Sequence, residues 1–232
     1  MSYLWQEFNI KTFPSETLVF KDGVFHNELS DCESGYFDSD NNMIYITKKS
    51  ELPIHIIYVG EIAGNIDLNI DISAQNANII STVKIINKKP AFLNFFIKNT
   101  GKNSVFNGQI VVQNYNSLKI DVSGQHFCEN TGIFVKTRVL SHKNSETVLN
   151  GHAIIEKNMN NCDSDISFSV MADETAKITL KPTQYIKSIP NSATHSAALY
   201  QPTDNQINYL RESGLSGSQV KQVLEEAFLS LI

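Results

Sequence analysis

The chain has 232 residues and a formal net charge of −5, which is enough for one large domain or for one domain with an appendage. The acidic balance argues against nucleic acid as the main partner, because phosphate binding needs a basic surface. No apolar run reaches about 18 residues, so no membrane span is predicted. The first residues also lack the basic and apolar regions of a signal peptide.

Most of the chain, from about residue 9 to about residue 189, reads as a β-rich body. Short β-branched and aromatic stretches such as residues 43–47 and 167–170 are separated by turns rich in Asn, Gly, Asp and Ser. Residues 66–72 alternate strictly between apolar and polar side chains, which is typical of a half-buried strand.

An internal repeat suggests how these strands are arranged. The segment 104–112 recurs as 147–155, so that Asn107 matches Asn150, 43 positions later, and a weaker copy at 122–126 lies near the midpoint. A unit of about 20 residues in an all-β sequence favours a solenoid, with the Asn-Gly pairs at its corners. A sandwich or barrel with Asn-Gly hairpins is the alternative.

Three cysteines are scattered through the chain without a CxxC pair: Cys32, Cys128 and Cys162. An odd, dispersed set fits a reducing compartment better than a disulfide framework, so the cytoplasm is expected. His126 and Cys128 stand two apart, on one face of a predicted strand, but two ligands make no metal site. Cys162 reads as a small buried thiol beside a turn.

Strand carboxylates offer a second kind of chemistry. Asp67, Asp71 and Asp121 could act in a β-helical polysaccharide lyase or hydrolase. Nothing in the sequence places the three together, and the chain contains no nucleophile elbow, P-loop or HExxH motif.

The last thirty or so residues change from strand to helix. Thr203 with Gln206, and Ser216 with Gln219, fit two capping boxes, while Gly214 ends the first helix. The pattern therefore predicts two short helices joined by a tight turn. The second helix carries an apolar stripe formed by Val220, Val223, Leu224, Ala227, Phe228 and Leu231. This stripe either folds back on the body or fills a groove in a partner.

Several motifs in the second half of the chain match one family. Asn150-Gly151 with its apolar strand resembles F-N-G-K-V-x-V, and residues 192–197 (SATHSA) resemble K-C-S-H-G-A. Residues 176–182 resemble a segment that ends in K-P or T-x-P. Residues 201–215 resemble Q-x-x-E-x-x-x-Y-L-x-S-R-G-I, and Ala227-Phe228 resembles a closing A-F. Together these marks resemble the core domain of the SufB/SufD family of iron–sulfur cluster assembly scaffolds.

The resemblance implies a fold and partners. It implies a right-handed parallel β-helix, assigned to residues 1–200, and a helical docking segment, assigned to residues 201–232. Two such β-helices would pair near their C-terminal ends, either with a SufB-like subunit or with a second copy. The helices would dock a SufC-like ABC ATPase through Tyr209, Leu210, Gly214, Leu215, Val220, Leu224 and Phe228.

The resemblance also implies a cluster ligand, with departures. His195 matches the family histidine and could bind metal or an iron–sulfur cluster at a subunit interface. Ala193 stands where the family has Cys, so the natural thiolate ligand is missing. Ser196 replaces the family Gly. The chain is also too short for the helical N-terminal domain of most members, so a minimal core is expected. SufD-type members rely more on the histidine and the scaffold role than SufB-type members do, so the resemblance is to a SufD-like member.

Three functions follow from these readings. The first is a non-enzymatic SufD-like scaffold that docks the ATPase and pairs through the C-terminal β-helix. The second is a β-helical carbohydrate-active enzyme with a groove lined by carboxylates. The third is a degenerate structural or regulatory paralogue without iron chemistry, which the loss of Cys at Ala193 favours.

Overall fold

The structure, a computed structural model, describes residues 14–230. Residues 9–13 of the expected β body and Leu231 of the expected stripe lie outside this range. The first strands are β1 (Thr17–Lys21), β2 (Val24–Phe25), β3 (Gly35–Asp38), β4 (Met43–Ile46), β5 (Ile54–Ile72) and β6 (Asn78–Asn99), with a short 3-10 helix at Asn27–Leu29. The later elements are β7 (Val105–Asn114), β8 (Ser117–His126), β9 (Gly132–Ser141), β10 (Glu146–Ile155), β11 (Asp163–Ala172), β12 (Lys177–Ile186), β13 (Ser192–Tyr200), α1 (Asp204–Glu212) and α2 (Gly217–Leu229).

From β6 onward the chain alternates between two parallel sheets that share one core. The odd sheet runs β7-β9-β11-β13, and the even sheet runs β8-β10-β12. The long strand β6 gives its first half to the odd sheet and its second half to the even sheet. The predicted β-solenoid, of about six coils, is therefore confirmed. The sandwich or barrel with Asn-Gly hairpins is wrong, because a two-residue hairpin joins only antiparallel strands.

The core consists of side chains stacked coil upon coil. In β10 and β11, buried residues alternate with more exposed ones, as expected for strands with one face inward. One inward column of the odd sheet runs through Gly108, Val135 and Ile166. Burial of each aliphatic side chain in such a column contributes about 1.5–3 kcal/mol. Each internal coil is covered by a neighbouring coil on both sides along the solenoid. The two end coils have a neighbouring coil on one side and need another element to cover the other side.

The coils are longer than the repeat in the sequence indicated. In the odd sheet, paired residues are 27, 31 and 29 positions apart, at Val105, Gly132, Asp163 and Ser192. The expected unit of about 20 residues is therefore wrong. The 43-residue offset is close to one and a half coils, so it relates strand β7 of one sheet to strand β10 of the other.

The Asn-Gly pairs are not corners. Asn107 and Gly108 lie inside β7, and Asn150 and Gly151 lie inside β10. The corners are instead formed by asparagines with positive φ, a conformation that Asn tolerates better than most residues. One series occurs at a spacing of 27 residues, at Asn76, Asn103 and Asn130, with φ of 54°, 59° and 57°.

The two ends of the solenoid differ. At the N-terminal end, β1 and β4 pair with β5, and each carries a short antiparallel neighbour, β2 or β3. At the C-terminal end, β12 pairs only with β10, and β13 pairs only with β11, among residues 14–230. Strand β13 is largely exposed, and β12 contains no fully buried residue. The C-terminal coil is thus open.

The two-helix prediction is confirmed in its details. Both capping boxes are formed, with Thr203 and Gln206 at α1 and Ser216 and Gln219 at α2. Gly214 has a φ of 90° just after the first helix, where a left-handed residue ends many helices. Within the described residues, no helix is both long enough and apolar enough to cross a membrane.

Candidate functional site

His195 lies at the open end of the solenoid, at an inward-facing position of β13. It pairs in register with Ile166, which pairs with Val135, so it continues an inward column of the odd sheet. Ile166 and Val135 are fully buried, whereas His195 is exposed because no further coil covers β13. An imidazole at this place is presented to whatever covers the end of the solenoid.

Apolar side chains surround this end. Leu199 extends the inward column of Val139 and Val170, yet it is 60% exposed. Ile186 of β12, in register with the buried Ile155, is 36% exposed, and Ile189 in the following turn is 77% exposed. This surface has the composition of a core that lacks its next layer. Clustered exposed apolar residues of this kind usually mark an interaction site.

The residues expected to dock an ATPase fall into two groups. Tyr209 of α1 is 71% exposed, Gly214 is exposed, and Leu210 and Leu215 are half-buried. No residue of α1 is buried. This half of the helical segment is accessible to a partner.

The other group faces the solenoid. Val220 and Phe228 of α2 are buried, and Leu224 is half-buried. Phe228 and its neighbour Leu229 pack on the outer face of the odd sheet, in an apolar seat formed by Val111 and Leu140 with Met171 and Tyr200. The helix therefore folds back on its own body, one of the two readings of the stripe.

The buried face of α2 is rotated from the expected stripe. Val223 is 39% exposed and Ala227 is exposed, whereas Leu229, which the stripe did not include, is buried. Val223 and Ala227 are thus wrongly placed in the expected buried face. Val111 and Leu140 instead contact Phe228 and Leu229, at the C-terminal end of the helix.

A second cluster of possible ligands lies at a buried corner. The Nδ1 atom of His126 lies 2.7 Å from the hydroxyl oxygen of Thr131, and that hydroxyl lies 3.3 Å from the Cys162 sulfur. The Cys162 thiol donates to the Cys128 carbonyl oxygen at 3.3 Å. Burial lowers the pKa of His126 to about 4.

The hydrogen bonds of this corner tie neighbouring coils together. β8 ends at His126, so Cys128 lies in the turn and not beside His126 on a strand, as the sequence suggested. The Thr131 hydroxyl and the Cys128 carbonyl instead link His126 to Cys162. Among residues 14–230, no group of three or more His, Cys, Asp or Glu side chains is arranged to hold a metal ion.

The strand carboxylates are held by neighbouring coils. Asp67 accepts a hydrogen bond from Asn94 at 3.1 Å, and Asp71 pairs with Lys98 at 2.9 Å. Asp121 accepts from Asn150 Nδ2 at 2.6 Å. These bonds tie one coil to the next on the outer face of the solenoid. They give these carboxylates a structural role.

The comparison with protein families fits this architecture. A family model described as the SufBD core domain of the SUF system for FeS cluster assembly matches residues 25–228. The chain belongs to the SufB/SufD family. A search of curated proteins finds no match for it. The SufB/SufD core supports a scaffold role in iron–sulfur cluster assembly, together with other components of the SUF system.

In the described part of this SufB/SufD chain, His195 belongs to no group of three or more possible metal ligands. Ala193, two residues earlier in the same strand, offers a methyl group in place of a thiolate. Cys162 is fully buried at the preceding coil. A cluster ligated by His195 would therefore need its remaining ligands from another chain, because iron–sulfur clusters are usually held by four side chains, mostly thiolates.

Proposed function

We propose that this chain is a SufD-like scaffold subunit of an iron–sulfur cluster assembly complex, with no reaction of its own. The observation that carries the proposal is the open C-terminal coil, where His195 stands among exposed residues of core composition such as Leu199. Such a surface is stabilised when a partner covers it. A scaffold needs a surface of this kind, because it holds its cargo between subunits.

The partner at this end is a second β-solenoid, either a SufB-like subunit or another copy of this chain. Strand β13 contains no Asp, Glu, Lys, Arg or Pro. Strand β12, by contrast, carries Lys177, Lys181 and Pro182, and charges and proline protect an edge against added strands. The unprotected edge of β13 is therefore the better place for a partner strand.

The helical segment docks a SufC-like ABC ATPase. The accessible half, with Tyr209, Leu210, Gly214 and Leu215, provides an exposed aromatic ring beside a turn. Aromatic anchors with apolar neighbours are common centres of binding energy. The cytoplasm suits such a complex, and all three cysteines are free thiols, as a reducing compartment requires.

His195 contributes a nitrogen ligand to the cluster that is being assembled. The cluster is cargo, and the thiolates come from the partner subunit. The absence of Cys at Ala193 favours a second candidate function, in which the chain keeps the architecture as a structural or regulatory subunit without binding iron.

Light scattering tests the docking step. The protein is mixed with the SufC-like ATPase of its own source, alongside a Tyr209→Ala, Leu215→Asp variant. We expect a complex with the wild type and none with the variant. Tyr36→Ala is the matched control, because Tyr36 is 53% exposed on β3, near the other end of the solenoid. Equal binding by all three proteins would remove the helical segment from the proposal.

Reconstitution with iron and sulfide separates the scaffold from the structural paralogue. The full complex is reconstituted with wild-type chain or with His195→Ala, and bound cluster is measured by its visible absorbance. Thr194→Ala, at the adjacent exposed position, is the control. A lower cluster yield with His195→Ala alone supports ligation. An unchanged yield supports the paralogue.

A further inference from the structure

Helix α2 is held on the solenoid by an arginine that lies far away in the sequence. Arg138 projects from the outer face of β9, and its Nη1 atom donates to the carbonyl oxygens of Phe228 at 3.2 Å and Ser230 at 2.6 Å. The last carbonyl groups of a helix have no partner within the helix and carry a partial negative charge. Arg138 therefore satisfies and neutralises the C-terminal end of α2.

A second polar contact fixes the other half of the helix. Lys221, near the start of α2, pairs with Asp173 at 2.8 Å, just beyond the end of β11. Asp173 also accepts from the backbone N–H of Lys143 at 3.1 Å. Burial alone would raise the pKa of Asp173, but the hydrogen bond and charge of Lys221, with smaller contributions from His142 and Lys143, lower it overall. With Arg138, this pair restrains both the position and the rotation of α2.

The anchored end of α2 touches the strand that carries His195. Phe228 stacks on Tyr200, the last residue of β13, with ring centroids 5.4 Å apart. Within residues 14–230, strand β13 has a strand neighbour on one side only, so the end that bears Tyr200 depends on α2 for cover. Arg138 holds Phe228 in place through its hydrogen bond to the Phe228 carbonyl oxygen.

We infer that Arg138 is a positioning residue for the helical segment: it fixes α2 on the solenoid and, through Phe228 and Tyr200, holds the end of the strand that carries His195. The inference rests on the proposed function in one respect. If a partner binds the helices and cargo binds at the open end, Arg138 helps to connect the two sites rigidly. The contacts themselves need no partner.

Hydrogen exchange followed by mass spectrometry tests this on the full chain alone. The variants are Arg138→Gln and Arg138→Lys, with Lys136→Gln as control, because Lys136 is exposed on the same outer face of β9. Charge-assisted hydrogen bonds are among the stronger polar contacts. We therefore expect amides of residues 224–230 and 197–200 to exchange about tenfold faster or more in Arg138→Gln.

A general loss of stability would change every strand, whereas a positioning role changes only α2 and the end of β13. We expect β8 and β10 of the other sheet to keep wild-type exchange in all variants, Arg138→Lys to be intermediate, and Lys136→Gln to match the wild type. Unchanged exchange in α2 would overturn the positioning role. Faster exchange in α2 without any change at 197–200 would overturn the connection to β13. The exchange experiment contains no ATPase. If the light-scattering experiment shows no ATPase binding, the docking proposal is refuted, and the exchange result still stands on its own.

Discussion

Phe228 of α2 stacks on Tyr200 at the end of β13, with ring centroids 5.4 Å apart and an interplanar angle of 25°. The two rings join the helical segment to the last coil of the solenoid. Tyr200 lies five residues after His195 in the same strand. The helical segment that carries the proposed ATPase surface and the strand that carries His195 are thus joined by direct side-chain contact.

Replacing Phe228 with Ala should release α2. The ring is 9% exposed, and truncating a buried Phe costs about 3–5 kcal/mol in a core, with less expected at this peripheral seat. Trypsin cleavage after Lys221 requires local opening of the helix, so its rate should rise at least about tenfold. Val223→Ala, in the exposed part of the same helix, should leave the rate nearly unchanged. Similar rates in both variants would contradict the observed seat.

The buried His126 should make the protein less stable in acid. Because burial lowers its pKa to about 4, the folded protein holds this imidazole neutral, whereas the unfolded chain binds the proton near pH 6.5. The titration of His126 leaves the free energy of unfolding unchanged above pH 6.5. It lowers that free energy by up to about 3 kcal/mol as the pH falls toward 4. Urea unfolding at several pH values measures this slope.

His126→Asn is the variant that isolates this effect. The equivalent residue one coil earlier is Asn99, whose side chain satisfies the corner by accepting from Gly101 N–H and donating to the Ser104 carbonyl oxygen. Asparagine does not titrate, so the free energy of unfolding should fall less steeply between pH 6.5 and 4 than in the wild type. Parallel slopes in the two proteins would show that His126 does not control acid stability.

Gly151 should resist replacement although it lies in a regular strand. A Cβ atom at this position would lie 2.9 Å from Phe168 Cζ and 3.0 Å from Ile166 Cγ2. Overpacking of this kind costs about 1–3 kcal/mol, so Gly151→Ala should lower the midpoint of urea unfolding. Gly217→Ala is the control, because no atom lies within 4 Å of a Cβ there. A midpoint as high as the wild type in Gly151→Ala would mean that the core relaxes around the methyl group.

Local patterns in the sequence predicted local structure well. The capping boxes at Thr203 and Ser216, the glycine at 214 and the β-rich body depend on neighbouring residues and are all present. The predicted coil length was wrong because the Asn-Gly repeat relates strands of opposite sheets. In both copies the glycine leaves space for large side chains of the core. The 27-residue series of asparagines at Asn76, Asn103 and Asn130 matches the length of the coils in which these residues lie.

Features that depend on long-range packing could not be read from the sequence. The inward direction of His195 follows from its register with Ile166, and register is set by the core of the whole coil. The rotation of α2 follows from Arg138 and Leu140, which precede it by about ninety residues. A helical stripe shows that a face will be buried, and only the partner surface decides which residues lie at its centre.

The open end should control assembly, and Leu199 is the residue to change. Its side chain continues an inward apolar column and is 60% exposed, so a charge there would remain buried and unpaired in any complex that covers the end. Leu199→Asp should therefore abolish whichever complex the wild type forms, a homodimer or a heterodimer with a SufB-like protein, as measured by light scattering. Val24→Asp is the matched control, because Val24 is 59% exposed on β2, at the capped end. Should Val24→Asp break the complex while Leu199→Asp leaves it intact, the partner binds at the N-terminal end instead.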